Sequence, residues 1–366
     1  MKLLKHSALG IMAAAVAVTG VAATADAQYF KGKRVNIIIN YGAGGNTDIQ
    51  GRMVMRHMKK YIKGKPRLVF RHVSGAGGVV GANFLGEAGK KNGTMMGVFT
   101  IPIMAQVMKT PELRVDLSAF HYVGAIGQQT IGHIRKDAIP GKTIKTYKDL
   151  IANESHPIRT GGHGPTSSKD LRTRLLFQAM KIPLKHVTGY KSGGKIRAAI
   201  LKNELDMTAD SLAGYYGRVV AQLIKPGISV PIWHIGTPGP NNSILHSPTV
   251  PKNIPSFQAV YEAKFGKGAR PDRMTWDAIR TIGASREMLR ILVFRKGTDP
   301  KAVAEMRAAW DKTMLDKAFL ADYRKVNGSD FDGKSGAAAQ KYVKSIVNVP
   351  KDLEKFLLDY ANAARG

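Results

Sequence analysis

Short apolar runs alternate with amphipathic segments along most of this chain, and that alternation is typical of α/β proteins. The run from Val35 to Ile39 is short and rich in β-branched residues, which predicts a buried strand. The stretches 68–73 and 97–100 predict two further strands. After the first strand, apolar residues recur at helical spacing and predict a helix that packs one face on the sheet: Ile49, Met53, Val54, Met58 and Ile62.

A glycine-rich loop separates the first predicted strand from its helix, and it reads Tyr41-Gly42-Ala43-Gly44-Gly45-Asn46-Thr47-Asp48. Glycine allows the backbone to turn at positive φ and to approach a ligand closely. The first N–H groups of the following helix have no partner within the helix, and the helix dipole favours negative charge there. The loop is therefore predicted to be a cradle for a small anion.

Two later glycine loops repeat this arrangement. The stretch 74–81 opens another predicted helix, and the loop 161–168 follows a strand predicted at 157–160. Ser167 or Ser168 can cap the next helix by accepting a hydrogen bond from one of its free N–H groups. That helix is marked by an apolar stripe of Leu171, Leu175, Leu176 and Ala179. Two anion cradles in two halves of the chain predict a ligand held between two domains, where small-molecule sites tend to lie.

Three polar residues near the loops are further site candidates. Asp48 either orients a ligand or only complements the dipole of the first helical turn. Asp210 either contacts an amine or hydroxyl of a ligand or ends a strand. Thr100 ends the third predicted strand, which is the position of ligand contacts in open α/β sheets.

The C-terminal part of the chain is predicted to be helical. Asp299 and Pro300 form a helix start, with the aspartate as N-cap and the proline at the first helical position. Further helices are predicted at 318–326, 336–347 and 351–363. The stretch 229–273 is rich in Pro, Gly, Asn and Ser, which predicts a loop or a return linker.

Residues 1–27 follow the plan of a cleavable secretory signal. Lys2 and Lys5 precede an apolar stretch, and Ala25-Asp26-Ala27 offers a cleavage site, so we expect a periplasmic protein cleaved after Ala27. Removal of this segment lowers the formal charge from +30 to +29, an unusually basic value that attracts anions. The chain has no cysteine, which excludes disulfides and thiolate nucleophiles.

Composition and motifs disfavour several classes of function. Lys and Arg are spread along the chain without a basic arm or a nucleic-acid-binding motif, so no nucleic-acid partner is predicted. The loop 42–47 has the first two glycines of a dinucleotide fingerprint but ends in Thr47, and no nucleophile elbow or zinc-protease motif is present. We therefore predict no enzyme activity, no cofactor and no metal. The charge leaves one alternative open, a basic periplasmic polyanion-binding or sensory adaptor protein without a dedicated permease.

The order of the motifs resembles the Bug receptors, the substrate-binding proteins of tripartite tricarboxylate transporters. The matching segments cover nearly the whole mature chain, namely 41–48, 74–78, 115–120, 161–164 with Ser167, 187–191, 204–206 and the helix start at Asp299. A single glycine loop would be weak evidence, whereas this order of loops is specific.

The resemblance implies a type II periplasmic binding protein with two α/β lobes, two crossover segments and a cleft that closes on a ligand. It assigns 28–127 and 236–366 to lobe 1 and 128–235 to lobe 2. It also implies a monomeric receptor that delivers a small organic anion to membrane permease subunits. A di- or tricarboxylate, an aromatic acid or an acidic amino acid would fit as that anion.

In that family, backbone N–H groups and water hold a carboxylate, and an aromatic residue walls the pocket. Together with Thr100 and Asp210, the resemblance gives these predicted ligand-binding residues: Tyr41, Gly44, Gly45, Asn46, Thr47, Asp48, Gly164, Thr166 and Ser167. Asn46 departs from the glycine, proline or serine that is frequent at its position, which predicts a more polar pocket floor. The segment 231–273 is an extension relative to shorter members of the family.

Overall fold

The structure is a computed structural model that describes residues 28–364, so the predicted signal segment 1–27 lies outside the described residues. The strands form a six-stranded sheet, a five-stranded sheet and a two-stranded ribbon. In chain order the strands are β1 (Arg34–Ile39), β2 (Arg67–His72), β3 (Met95–Thr100), β4 (His121–Ile126), β5 (Thr130–Arg135), β6 (Ile158–Gly161), β7 (Leu184–Val187), β8 (Met207–Ser211), β9 (Ser229–His234), β10 (Thr237–Pro238), β11 (Ile244–Leu245), β12 (Arg290–Phe294) and β13 (Gly333–Ser335).

Helices cover both sheets. In chain order they are α1 (Asn46–Met58), α2 (Val79–Ala88), α3 (Ile103–Val107), α4 (Tyr147–Ile151), α5 (Ser168–Ala179), α6 (Gly193–Leu201), α7 (Leu212–Gly214), α8 (Phe257–Phe265), α9 (Arg273–Ala284), α10 (Pro300–Met314), α11 (Lys317–Asn327), α12 (Gly336–Val347) and α13 (Lys351–Asn362). The short helix α7 continues as a π-helical segment, Tyr215–Ile224.

The two large sheets share one plan. The first has the order β13-β4-β12-β3-β1-β2, with β1 parallel to both of its neighbours and β12 antiparallel to β3 and β4. The second has the order β7-β6-β8-β5-β9, with β6 parallel to β7 and β8 and β5 antiparallel to β8 and β9. The chain crosses to the second sheet between β4 and β5 and returns between β9 and β12. The predicted fold, two α/β lobes joined by two crossovers, is confirmed.

Helix α1 shows the predicted amphipathic pattern, because Met53, Val54 and Met58 are buried while Arg52 is exposed. The helix ends at Met58 rather than continuing to Ile62. The N–H groups of residues 60 and 61 bond to carbonyls three residues earlier, which tightens the chain into turns. Ile62 is buried as predicted, but it lies in the turn region that follows the helix and not in the helix itself.

Other predicted element boundaries are confirmed within a few residues. Ser167 caps α5 by accepting a hydrogen bond from the Asp170 N–H, and Asp299 caps α10 in the same way through the Lys301 N–H. The three predicted C-terminal helices correspond to α11, α12 and α13. Within residues 28–364, no helix combines the length and the apolar character that crossing a membrane requires.

The prediction of a loop or linker at 229–273 is wrong. This stretch contains strand β9, the β10–β11 ribbon and helix α8. Pro231 lies inside β9, which is tolerated because β9 is the edge strand of its sheet and needs fewer ladder hydrogen bonds. Helix α8 contacts β9, and α9 contacts α5, so both helices pack on the side of the second sheet. The division of the chain into lobes by residue number stays a prediction.

Candidate functional site

A cavity that is partly open to solvent lies between the two sheets. It faces the C-terminal ends of β1 and β3 on one side and of β6 and β8 on the other. Loops and helix starts supply the lining residues Tyr41, Gly45, Asn46, Thr47, Ala76, Gly77, Val79, Thr100, Ile101, Pro102, Ala105, Thr130, His163, Thr166, Ser167, Ser168, Lys169, Arg172, Ser192, Gly193, Ala209, Asp210, Ser211, Arg286, Leu289 and Arg290. This is where open α/β sheets place their ligands.

The first glycine loop presents the N-terminus of α1 to the cavity. The N-cap of α1 is Gly45, which has no side chain that could cap the helix with a hydrogen bond. The N–H groups of Asn46 and Thr47 therefore have no intrahelical partner and no capping side chain. The Thr47 hydroxyl lies 2.7 Å from the Thr100 hydroxyl, which fixes α1 against the end of β3. This wall offers hydrogen-bond donors and a positive helix end to an anion.

The Asp48 carboxylate joins the same loop to neighbouring side chains by hydrogen bonds. Its Oδ2 accepts a hydrogen bond from the Gly44 N–H at 2.9 Å, and its Oδ1 accepts one from Arg52 at 2.8 Å and lies 2.8 Å from His72 Nε2. Burial alone would raise the pKa of Asp48, but these hydrogen bonds outweigh it and lower the pKa. The carboxylate is thus engaged within the first lobe.

The second glycine loop is built around a carboxylate of the protein itself. Asp170, fully buried, accepts hydrogen bonds from the His163 N–H at 2.7 Å, from the Gly164 N–H at 3.3 Å and from the Ser167 hydroxyl. Its other oxygen lies 2.9 Å from His186 Nε2. Burial would raise the pKa of Asp170, but these partners lower it, so the carboxylate is ionised.

The two lobes touch on the rim of the cavity. The Tyr41 and His163 rings pack edge to face with centroids 5.1 Å apart. Gly77 has φ of +63°, and a Cβ there would lie 2.9 Å from the Ser167 Cβ, so only glycine fits this approach. Burial raises the pKa of Tyr41, whose hydroxyl donates to the Gly77 carbonyl at 2.8 Å. The described conformation is therefore closed over the cavity.

A side-chain hydrogen bond also joins the lobes. Asn46 Nδ2 donates to Asp210 Oδ1 at 3.1 Å, and a Cβ on Gly214 would collide with the Asn46 side chain. Asp210 is also bonded to Arg197 at 2.7 Å and lies 3.3 Å from His133 Nε2. Burial alone would raise the pKa of Asp210, but the charge of Arg197 and the hydrogen bond from His133 hold it far below its usual range.

Four basic side chains line the cavity, and none of them is among the predicted site residues: Lys169, Arg172, Arg286 and Arg290. Burial lowers the pKa of Lys169 to about 8 and those of Arg172 and Arg290 to about 10. No ion pair joins any of the four to a carboxylate within residues 28–364. Their positive charge makes the cavity complementary to an anion.

Several buried polar atoms on the cavity wall have no hydrogen-bond partner within the described part of the chain. They are donors and acceptors from both lobes: Asn46 Oδ1, Thr130 Oγ1, Arg172 Nη1, Ser211 Oγ and Arg290 Nε. Buried polar groups without partners are costly in a folded protein. A polar ligand that contacts these atoms would remove that cost.

Most of the predicted site residues line the cavity, and three do not. Eight of them line it, namely Tyr41, Gly45, Asn46, Thr47, Thr100, Thr166, Ser167 and Asp210. Gly44, Asp48 and Gly164 are not among the lining residues, and the N–H groups of both glycines are bonded to carboxylates of the protein. The ligand-binding role of all these residues stays a prediction.

The cavity arginines carry almost no sequence signal. Arg290 lies opposite Thr100 because β12 and β3 pair antiparallel, and its Nη1 donates to the Thr100 hydroxyl at 2.7 Å. Only the pairing of strands far apart in sequence brings these two residues together. Arg172 lies four residues after the first residue of α5. Residues four apart lie on the same face of a helix, so this spacing from the glycine loop is the one sequence signal that could have indicated that Arg172 faces the cavity. No group of His, Asp and Glu side chains within residues 28–364 is suited to hold a metal ion.

Comparison with known proteins agrees with this architecture. No protein-family model matches the chain. Over 209 residues the chain is 25% identical to the UPF0065 protein in gbd 5'region of Cupriavidus necator, a match that covers 55% of this chain and 62% of that protein. The sequence match thus spans less than two thirds of this relative.

Two solved structures match almost the entire length of the chain. The periplasmic binding protein BugD has a TM-score of 0.66 and 16% identity, with 90% of this chain and 98% of that chain covered. MatC from Rhodopseudomonas palustris with bound malate has a TM-score of 0.65 and 15% identity, with 91% and 100% covered. The resemblance drawn from the glycine loops is confirmed: the structural neighbours of the chain are Bug-type periplasmic binding proteins, and the chain has their two-lobed fold.

Proposed function

We propose that this protein is a periplasmic solute receptor that binds a small carboxylate between its lobes and delivers it to a membrane transporter. The observation that carries the proposal is the charge of the cavity, where four basic side chains without a direct ion pair and an uncapped helix start outnumber the one carboxylate of the lining, Asp210. A ligand with carboxylate groups would supply the missing negative charge and the missing hydrogen-bond acceptors.

The structural neighbours support the same function. BugD is named as a periplasmic binding protein, and the structure of MatC contains bound malate. The signal-like segment 1–27 and the periplasmic neighbours together support export. Delivery to permease subunits, a monomeric receptor and the absence of catalysis are parts of this proposal.

We assign the ligand contacts to both lobes. The N–H groups at the start of α1 and the hydroxyls of Thr47 and Thr100 would hold a carboxylate from the first lobe. Lys169 and Arg172 would hold it from the second lobe, with Thr166 and Ser167 beside them. Tyr41 would pack against the carbon skeleton, because its hydroxyl is already engaged by Gly77.

A thermal-shift screen tests the proposal on the chain from residue 28 onward. The panel contains malate, succinate, adipate, citrate, benzoate and glutamate, with succinamide as the uncharged control. A ligand at 100 times its Kd should stabilise the protein by about 2.7 kcal/mol. Mass spectrometry of the purified protein would identify an acid that stays bound. The proposal fails if no carboxylate shifts the melting temperature, and a shift with heparin alone, lost at high salt, would favour the polyanion-binding adaptor instead.

A further inference from the structure

Three guanidinium groups line the cavity between the lobes. Arg172, Arg286 and Arg290 all line it, and their exposed fractions are 3%, 4% and 4%. An arginine side chain stays protonated in proteins, so each group brings a full positive charge. Three buried cations around one cavity repel one another, because a buried pair is screened much less than a pair in water.

The protein neutralises these charges only in part, because the charges of Asp170 and Asp210 act on Arg172 while both carboxylates are hydrogen-bonded to other residues. Arg290 donates to the Thr100 hydroxyl, and Arg286 donates to the Ser285 hydroxyl at 2.8 Å. Arg172 Nη1 and Arg290 Nε have no hydrogen-bond partner within residues 28–364. Another arginine of the second lobe does have a direct counter-ion, since Arg197 contacts Asp210 at 2.7 Å. The three-arginine cluster is therefore an exception inside the same site.

The cluster spans the junction between the lobes. Arg172 projects from α5 of the second lobe, whereas Arg286 and Arg290 belong to the segment by which the chain returns to the first sheet. That segment is tied to the other crossover, because the Gln128 N–H donates to the Arg286 carbonyl at 2.9 Å. In the described conformation all three arginines are almost completely removed from water. Burial lowers the pKa of Arg286, and the charges of Arg172 and Arg290 lower it further, as expected for cations that lie close together.

We propose that this cluster makes closure depend on the charge of the ligand: Arg172, Arg286 and Arg290 keep the lobes apart until a ligand with at least two negative charges enters. The inference rests on the proposed function and adds the number of negative charges as a criterion for which ligands bind. A monoanion leaves most of the repulsion in place, and an uncharged analogue leaves all of it. The receptor then discriminates acids by their number of charges in addition to their shape.

The ligand arm of the test compares succinate, succinamate and succinamide, which have the same carbon skeleton and two, one and no charges. Binding is measured by calorimetry and closure by the radius of gyration in X-ray scattering, with tricarballylate as a ligand of higher charge. We expect each lost charge to lower the affinity at least tenfold and only ligands with two or more charges to compact the protein. Equal affinity and equal compaction with succinate and succinamate would overturn the inference while leaving a carboxylate receptor intact.

The second arm of the test uses variants of the cluster, first without ligand and then with the two acids. In refolded, ligand-free protein, Arg172→Gln removes one charge of the cluster and should raise Tm by about 2 °C and reduce the radius of gyration. The same variant should reduce the succinate-to-succinamate affinity ratio about tenfold, and Arg172→Lys should restore it.

Arg218→Gln is the matched control, because Arg218 is exposed and its loss changes the net charge by the same amount. We expect this control to leave all three readouts unchanged. A lower Tm for Arg172→Gln together with an unchanged affinity ratio would refute the charge-dependent closure. If Arg172→Gln does not fold, as judged by circular dichroism, Arg286→Gln takes its place with the same expected results.

Discussion

The two glycine loops of this protein occupy equivalent positions but are filled differently. Each follows the strand that is flanked by two parallel neighbours, β1 in the first sheet and β6 in the second, and each leads into a long helix. In the first loop the N-cap of α1 is Gly45, and no side chain caps the helix start with a hydrogen bond. In the second loop Ser167 caps α5, and Asp170 accepts the N–H groups of His163 and Gly164.

This difference separates two uses of glycine. In the first loop glycine leaves the helix start open, so the backbone itself can bind an anion. In the second loop glycine makes room for an internal anion, because a Cβ on Gly162 would collide with the Asp170 carboxylate. We propose that the second lobe attracts a ligand through side chains instead, and Lys169 and Arg172 lie on the cavity wall. Similar glycine patterns thus give a backbone cradle in one lobe and a side-chain cradle in the other.

The largest expected effect comes from removing the internal anion. Asp170→Asn should destabilise the protein by about 2 to 4 kcal/mol, because the loop N–H groups and His186 lose a buried, charged acceptor. The matched change in the first loop, Asp48→Asn, should cost only about 1 kcal/mol, since Asp48 contacts the partly exposed Arg52 and His72. Urea denaturation measures both values. Equal losses for the two variants would contradict the distinction between the loops.

A second pair of variants isolates the backbone donor at the start of α1. Asn46→Pro and Asn46→Ala both remove the side chain that bonds to Asp210, but only the proline also removes the N–H group. Gly45 is extended, with φ of −76° and ψ of 168°, so it tolerates a following proline, and the first helical position accepts one. We expect the proline variant to bind the carboxylate found in the thermal-shift screen about tenfold more weakly than the alanine variant, as measured by calorimetry. Equal affinities would show that the first loop does not bind the ligand through this N–H group.

The smallest expected effect is the pH dependence contributed by the second lobe. Burial lowers the pKa of Lys169 to about 8, below its ordinary value of 10.5. Below pH 8 the side chain is charged and attracts the ligand, and above pH 8 that charge is lost. Affinity for a fully ionised dicarboxylate should therefore fall severalfold between pH 7 and pH 9.5.

The stability of the ligand-free protein should change in the opposite direction. Because the unfolded chain binds the Lys169 proton more tightly, the free energy of unfolding should rise between about pH 8 and pH 10.5. Lys169→Arg stays charged throughout and should lose the dependence on pH in both measurements. A wild-type affinity that is constant from pH 7 to pH 9.5 would exclude Lys169 from the ligand site.

Much of the fold follows from local signals in the sequence. The β-branched run at Val35 and the serine before α5 predict their elements, because strand burial and helix capping depend on residues close in the chain. The stretch 229–273 was predicted wrongly because its proline, glycine and serine content is typical of loops. Strand β9 forms there because it pairs with β5, and that pairing gives an edge position where Pro231 costs little.

The candidate site likewise combines features that local sequence predicts with features that only tertiary contacts decide. The sequence by itself determined that glycine loops end β1 and β6 and that helices begin directly after them, since turn chemistry and apolar periodicity are encoded within about ten residues. Only the tertiary structure decided that Asp170 fills the second loop and that Arg172, Arg286 and Arg290 share one cavity. The physical reason is that hydrogen bonding and charge compensation act between groups a few ångströms apart, and folding chooses those neighbours from distant parts of the chain.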